Sequence, residues 1–136
     1  IVPGSAVFAG HTDTMDTSSF SWRGEQLPFV PVPESAAPAL IKGDLRSAWE
    51  EMLKDEEAVR AAAIQVEKIN GPIFLLSATQ DEFWPSTEMS EAMMRRLDEH
   101  SFSFAKEHVA IDGNHAAPLQ HMDLVEDFLR AHFCEP

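Results

Sequence analysis

The amino-acid sequence predicts an α/β fold in which a mostly parallel sheet is flanked by helices. From Ile73 onward, short apolar runs typical of strands alternate with segments in which apolar residues recur every three or four positions, as in amphipathic helices. An order of strand, helix, strand and helix favours parallel pairing through helical crossovers. With 136 residues, 44% of them hydrophobic, the chain can bury one core, so one domain is expected over residues 1–136.

The first third of the chain predicts a short strand followed by a long irregular segment. Val7 and Phe8 favour extended backbone, and the turn-like residues 10–13 follow them. Four of the nine prolines lie between Pro28 and Pro38, where they fix φ and remove backbone donors. This segment is therefore predicted to be a Pro-rich loop or lid, with four side chains available to pack it down: Phe20, Trp22, Leu27 and Phe29.

Regular elements are predicted from Leu45 to the end of the chain. Helical spacing from Leu45 to about residue 63 indicates one or two amphipathic helices. The apolar run that starts at Ile73 predicts an interior strand, and Pro85-Ser86-Thr87 begins a helix. Its predicted buried stripe is Met89, Ala92, Met93 and Leu97.

A second strand and a last helix complete the predicted order. Alternation from Lys106 to Ile111 predicts the strand, and Asp112-Gly113-Asn114 closes it with turn residues. The last helix follows Pro118. It is predicted to bury Leu119, Met122, Val125, Leu129 and Phe133.

Charge and composition argue against several classes of protein. Ten Lys and Arg against twenty-three Asp and Glu give a net charge of −13, which opposes binding to nucleic acid. Because no apolar run approaches the roughly 18 to 20 residues that span a bilayer, no membrane association is expected. The single cysteine, Cys134, is interpreted as an ordinary tail residue rather than a nucleophile, and a reducing, cytoplasmic location is expected. Since the first residue is Ile1 rather than Met, we expect the chain to be trimmed, processed or incomplete.

Two titratable residues follow the two strands predicted from Ile73 onward. Asp81 lies five residues after Leu76, and His115 follows the strand that ends at Ile111. Because parallel strands end at the same edge of a sheet, the two side chains are expected to lie within hydrogen-bonding reach. The order of acid before histidine is that of the nucleophile, acid and histidine of an α/β-hydrolase. On pattern alone, a solvated loop carboxylate is an equal interpretation of Asp81.

Several motifs resemble the carboxy-terminal domain of acyl-CoA thioester hydrolases and bile acid-CoA:amino acid N-acyltransferases. The resemblance covers nearly the whole chain. It is carried by the stretch from Ile64 to Leu76, by Asp81-Glu82-Phe83-Trp84-Pro85-Ser86, by Met94-Arg95-Arg96-Leu97 and by the Gly113-x-His115 turn. The chain thus resembles the C-terminal half of an α/β-hydrolase, in which Asp81 is the triad acid, His115 is the triad base and Glu82 is a neighbour only. The implied substrate is an acyl-CoA or another thioester or ester, with hydrolysis or acyl transfer to an amino acid as the reaction.

The nucleophile that this resemblance requires is not evident. No Gly-x-Ser-x-Gly occurs, and Ser5, in Gly4-Ser5-Ala6, lacks the second glycine and the preceding strand of a nucleophile elbow. The elbow and the amino-terminal β-sandwich domain of the family are expected upstream of Ile1. The chain alone is therefore expected to be inactive unless a partner supplies them. A non-catalytic domain that binds or assembles is the alternative, because half of a doubly wound sheet leaves an unpaired edge, which predicts a homo-oligomer.

Two further interpretations concern metal binding and packing. Three histidines and a carboxylate occur within a short stretch, namely His108, Asp112, His115 and His121. No two of the histidines share the i, i+4 face of a zinc-binding helix, so no metal is predicted, and no cofactor is predicted because Gly-rich phosphate loops are absent. Trp84 is interpreted as a packing anchor for the loop that carries Asp81.

Overall fold

The computed structural model describes residues 1–10 and 14–133. Within them the chain divides into two compact units. The first unit comprises Ile1–Pro3, Gln65–Asp81 and the described residues from Ser86 onward. The second comprises Gly4–Ile64, apart from the three residues not described, and Glu82–Pro85. Helices and strands occur together, in agreement with the predicted α/β class.

The first unit contains a two-stranded parallel sheet with helices on both of its faces. Strand β3 (Ile73–Ala78) pairs with strand β4 (Lys106–Ile111), in register from Ile73 opposite Lys106 to Ala78 opposite Ile111. Helix α4 (Ser86–Glu99) connects the two strands, and helix α5 (Met122–Phe133) follows β4 after a short 3-10 turn. These elements occur where the sequence predicts them, because each has its own apolar periodicity and its own turn residues.

The core of the first unit lies between β3 and α4. Residues of alternate parity along a strand point to opposite faces, and Ile73 and Leu75 pack with Met93 and Leu97 of α4. Three of the four residues predicted for the buried stripe of α4 are buried, and the fourth, Ala92, is half-buried. On the other face of β3, the ring of Phe74 lies 5.1 Å from that of Phe128 in α5.

The predicted burial of the last helix is wrong for most of its residues. Leu119, Met122, Leu129 and Phe133 are all exposed, at 39% to 63% of their surfaces, and Val125 is half-buried. The buried residue of α5 is Phe128, which is not among the residues predicted to be buried. For three of these residues the reason is geometric: Val125, Leu129 and Phe133 line an apolar groove of about 240 Å³ beside β3, which the described residues do not fill.

The second unit consists of helices, a hairpin and irregular segments. Helices α1 (Ala37–Lys42), α2 (Leu45–Met52) and α3 (Glu56–Ala62) follow one another, and strands β1 (Ser21–Trp22) and β2 (Glu25–Gln26) form an antiparallel hairpin. Asp44 and Asp55 cap α2 and α3, since each carboxylate accepts a hydrogen bond from the amide three residues later. Helices α2 and α3 agree with the one or two amphipathic helices predicted from Leu45.

Two expectations for the beginning of the chain need correction. The first ten residues do not form a continuous strand among the described residues, because their bridges go to three separate segments, with Ala6 opposite Ala63, Phe8 opposite Val30 and Ala9 opposite Ser18. No single neighbour is available to extend a ladder. Phe20 and Trp22, expected to pack down the Pro-rich loop, are 63% and 67% exposed. The hairpin that holds them has no buried residue, so it provides no core for the two rings.

No described helix combines the length and the apolar character that a membrane span requires. The interpretations of the turn at residues 10–13 beyond Gly10 and of Cys134 concern residues that lie outside the described ranges.

Candidate active site

The structure brings Asp81 and His115 into direct contact at the carboxyl ends of β3 and β4. The Nδ1 atom of His115 lies 2.9 Å from Oδ1 and 3.0 Å from Oδ2 of Asp81. The Asp81 side chain is fully buried, whereas a quarter of the His115 side chain is exposed. A buried carboxylate beneath a partly exposed imidazole is the arrangement in which an acid orients a histidine that acts on another molecule.

The chemistry of the carboxylate fixes the tautomer of a neutral His115. An ionised carboxylate can only accept hydrogen bonds, so Nδ1 must carry the proton that it donates to Asp81. The second ring nitrogen, Nε2, then carries the lone pair. In a nucleophile, histidine and acid triad this is the nitrogen that takes the proton from the nucleophile and returns it to the leaving group.

The loop that carries Asp81 has its two ends held together by the first turn of α4. Ser86, which is fully buried, accepts from the amide of Ala78 at 3.3 Å and donates to its carbonyl at 3.4 Å. The hydroxyl of Thr87 donates to the same carbonyl at 3.0 Å. The chain therefore leaves β3 at Ala78 and enters α4 at Ser86 from fixed positions, and Asp81 lies between them.

The turn that carries His115 depends on a glycine and on an asparagine. Gly113 has a φ of +136°, and a Cβ placed on it would lie 2.7 Å from the Cβ of Ala117, so no other residue fits without strain. The side chain of Asn114 accepts from the amide of Ala116 at 3.2 Å, and its carbonyl accepts from the amide of Ala117 at 2.9 Å. This Asx turn determines where the backbone presents His115.

Comparison with known proteins identifies the family. A family model described as BAAT / Acyl-CoA thioester hydrolase C terminal matches residues 3–116. The chain belongs to this family. The match includes both Asp81 and His115, and it confirms the resemblance drawn from the sequence motifs. Neither the curated proteins nor the solved structures gave a significant match.

Three other residues weighed for this thioester hydrolase family site have different environments. Ser5 lies at a bend, where its carbonyl accepts from the amide of Ile64 at 3.0 Å, and not in a turn from a strand to a helix. Glu82 is exposed, unlike the buried Asp81. Trp84 packs against other rings of the second unit, with its centroid 5.9 Å from that of Trp49 and 6.3 Å from that of Phe83.

Three of the four residues considered for a metal site have other partners. His108 Nε2 contacts the hydroxyl of Ser77, Asp112 accepts from Thr79 and Gln80, and His115 contacts Asp81. Among the described residues, no group of three or more His, Cys, Asp and Glu side chains could hold a metal ion.

A polar network beneath the candidate site was not predicted from the sequence. The hydroxyl of Ser77, which is fully buried, lies 2.8 Å from Nε2 of His108 and 3.0 Å from the hydroxyl of Thr87. Burial lowers the pKa of His108 below its usual value, partly offset by the negative charge of Glu91. The signal in the sequence was a polar residue at position 77, of the same strand parity as the core residues Ile73 and Leu75.

The protein itself engages Nε2 of His108. Because the Ser77 hydroxyl can donate or accept, Nε2 of His108 is hydrogen-bonded to this buried group in either neutral tautomer.

Proposed function

We propose that this chain provides the acid and the base of an acyl-CoA thioester hydrolase, with Asp81 as the acid and His115 as the base. The single observation that carries the proposal is the 2.9 Å contact between Nδ1 of His115 and the buried carboxylate of Asp81. Family membership supplies the substrate class, since thioester hydrolysis is the reaction named for the family.

The proposed reaction has two steps. A nucleophilic hydroxyl or thiol attacks the thioester carbonyl, Nε2 of His115 takes its proton, and the proton then passes to the leaving thiolate, so that free thiol departs and an acyl-enzyme remains. In the second step His115 takes a proton from water as its oxygen attacks the acyl group, and His115 then returns this proton to the nucleophile as the bond to the acyl group breaks, so that the acid is released and the nucleophile is restored. Asp81 stabilises the positive charge on His115 in both steps. The sequence does not identify the nucleophile.

The test is an assay of thiol release from acyl-CoA substrates of several chain lengths. It uses the polypeptide encoded by the complete gene and, in parallel, the 136-residue chain. In the active form, Asp81→Asn is expected to lower kcat by about 10⁴-fold because the amide no longer favours the required tautomer. His115→Asn is expected to lower kcat by about 10⁶-fold.

The matched control is Glu82→Gln, which removes the adjacent carboxylate and is expected to leave the rate within about twofold. An active enzyme in which Glu82→Gln costs as much as Asp81→Asn would contradict the assignment of the acid. Addition of an amino acid to the same assay separates hydrolysis from acyl transfer, since transfer gives an amide instead of a free acid. Thiol release that persists in His115→Asn would contradict the proposal as a whole.

The alternative function is a non-catalytic domain that assembles with copies of itself. The observation that favours it is the apolar groove beside α5, whose lining residues Ile1, Leu129 and Phe133 are each about half exposed. Sedimentation of the chain at micromolar concentration tests this alternative. A monomer that shows no concentration dependence would remove it.

A further inference from the structure

Hydrogen bonds continue between the two site loops beyond the ends of β3 and β4. The amide of Thr79 donates to the carbonyl of Ile111 at 2.9 Å, and the amide of Gln80 donates to the carbonyl of Gly113 at 2.9 Å. These two residues directly precede Asp81. The backbone next to the proposed acid is thus bonded to the backbone next to the proposed base.

One carboxylate joins the same two loops through side chains. Oδ1 of Asp112 accepts from the hydroxyl of Thr79 at 3.1 Å and from Nε2 of Gln80 at 2.9 Å. Thr79, Gln80 and Asp112 are all exposed, so water competes for each of these bonds. Because one oxygen accepts both hydrogen bonds, the side chains of Thr79 and Gln80 are held next to the same atom. Asp112 itself lies three residues before His115.

We infer that Asp112 is a positioning residue, which keeps Asp81 and His115 in register by bonding to the two residues before Asp81. The inference rests on the proposed function, because it concerns the same acid and base. Rotation of the turn at residues 79 and 80 would move the carboxylate of Asp81 away from Nδ1 of His115. A displacement of about 1 Å in a catalytic arrangement can cost about 10²-fold in rate.

The exposure of Asp112 separates this role from ordinary stabilisation. Exposed polar contacts contribute little to the free energy of unfolding, so loss of this carboxylate should leave the fold intact. Its effect should instead appear in the contact between Asp81 and His115. A suitable readout is the exchange of the Nδ1 proton of His115 with water, measured by NMR together with the ring nitrogen shifts that report the tautomer.

The experiment compares Asp112→Ala, which removes the acceptor, with Asp112→Asn, whose amide oxygen can still accept both bonds. Asp112→Ala is expected to speed exchange of the Nδ1 proton at least about tenfold, and Asp112→Asn is expected to stay within about twofold of the unchanged chain. Asp98→Ala is the matched control, because Asp98 is an exposed carboxylate of the same unit bonded to Lys106. In the active enzyme, kcat should fall by about 10- to 100-fold in Asp112→Ala with KM unchanged.

Several outcomes would overturn the inference. If the Nδ1 proton exchanges equally fast in Asp112→Ala and Asp98→Ala, Asp112 does not position Asp81 and His115. If Asp112→Ala and Asp112→Asn speed this exchange equally, the acceptor oxygen of residue 112 is not responsible for the effect. If Asp112→Ala does not fold, Thr79→Val provides the test, because it removes the hydroxyl donor of Thr79 and keeps the shape of the side chain. The inference then requires that Thr79→Val speeds exchange of the Nδ1 proton of His115. Absence of the Nδ1 proton in the unchanged chain would instead contradict the proposed function, so the two failures are distinguishable.

Discussion

Replacement of Gly113 by alanine tests how much of the candidate site depends on backbone geometry. Two costs are expected. A φ of +136° is rarely adopted by residues with a Cβ, and such backbone strain costs about 1–3 kcal/mol. The new Cβ would also lie 2.7 Å from the Cβ of Ala117, well inside the usual carbon contact distance, and overpacking of this kind costs about 1–3 kcal/mol more.

The two costs together predict a loss of about 2–6 kcal/mol in the free energy of unfolding for Gly113→Ala. For a chain of 136 residues each kcal/mol corresponds to about 3–4 °C in Tm. The expected fall is therefore about 7–20 °C. Gly71→Ala is the matched control, because nothing lies within 4 Å of a Cβ at that position and its φ is not in the positive region. It should change the free energy of unfolding by less than about 1 kcal/mol.

Urea denaturation followed by far-UV circular dichroism is the appropriate assay. Tryptophan fluorescence is unsuitable because all three tryptophans, Trp22, Trp49 and Trp84, belong to the second unit, whereas Gly113 belongs to the first. A double-mutant cycle separates the two costs, because Ala117→Gly in the Gly113→Ala background removes the overlap and leaves the strained φ.

The cycle should recover about 1–3 kcal/mol beyond the effect of Ala117→Gly alone. Two results would refute the reasoning. One is a Gly113→Ala variant whose free energy of unfolding lies within about 1 kcal/mol of that of Gly71→Ala, since about 1 kcal/mol is the smallest cost expected from backbone strain alone. The other is the absence of recovery in the double variant, which would mean that the overlap with Ala117 does not limit the turn.

Three further predictions concern pH and the core of the first unit. Because burial lowers the pKa of His108, the stability that this residue contributes is present above pH 6.5, its ordinary pKa, and is lost as the pH falls below that value. In His108→Gln, the urea midpoint should therefore change less between about pH 7 and pH 5 than in the unchanged chain. Nε and Nη2 of Arg96 donate to the two carboxylate oxygens of Glu67 at 2.5 Å and 2.7 Å, which lowers the pKa of Glu67 from 4.5 to about 2. The stability that Glu67 contributes is therefore lost as the pH falls from 4.5 towards 2, and Glu67→Gln should remove this pH dependence. A variant that loses as much stability in acid as the unchanged chain would contradict the prediction. Leu76→Ala, at a fully buried position, should cost about 2–5 kcal/mol by urea denaturation, whereas Leu119→Ala, at a position 63% exposed, should cost less than about 0.5 kcal/mol.

The sequence predicted β3, α4 and β4 well because each is specified by local patterns. An apolar run from Ile73, a helix start at Ser86 and the turn residues after Ile111 are signals that neighbouring residues carry among themselves. The contact between Asp81 and His115 could be expected for a related reason. Parallel strands that are adjacent in the sheet end at the same edge, so residues that follow them meet.

Elements whose environment depends on distant residues were predicted less well. The apolar stripe of α5 was read as buried, yet Leu129 and Phe133 are about half exposed, because periodicity says which side is apolar and does not say what covers it. The hydrogen bonds of Asp112 to Thr79 and Gln80 were also not predicted, since Asp112 was considered only as a turn residue and as a metal ligand. The register extends from Ala78 opposite Ile111, so Thr79 and Asp112 come next to each other, and that pairing was the available signal.

Two histidines of the first unit differ in which ring nitrogen the protein engages. Nε2 of His108 lies 2.8 Å from the buried hydroxyl of Ser77, so this nitrogen is already hydrogen-bonded inside the protein. His115 faces the carboxylate of Asp81, which cannot donate, so Nδ1 must carry the proton and Nε2 keeps its lone pair. Of the two side chains, the one bonded to the protein through Nδ1 is the one that can act as a base through Nε2. The choice of His115 over His108 as the proposed base therefore follows from which nitrogen is hydrogen-bonded and does not require knowledge of the nucleophile.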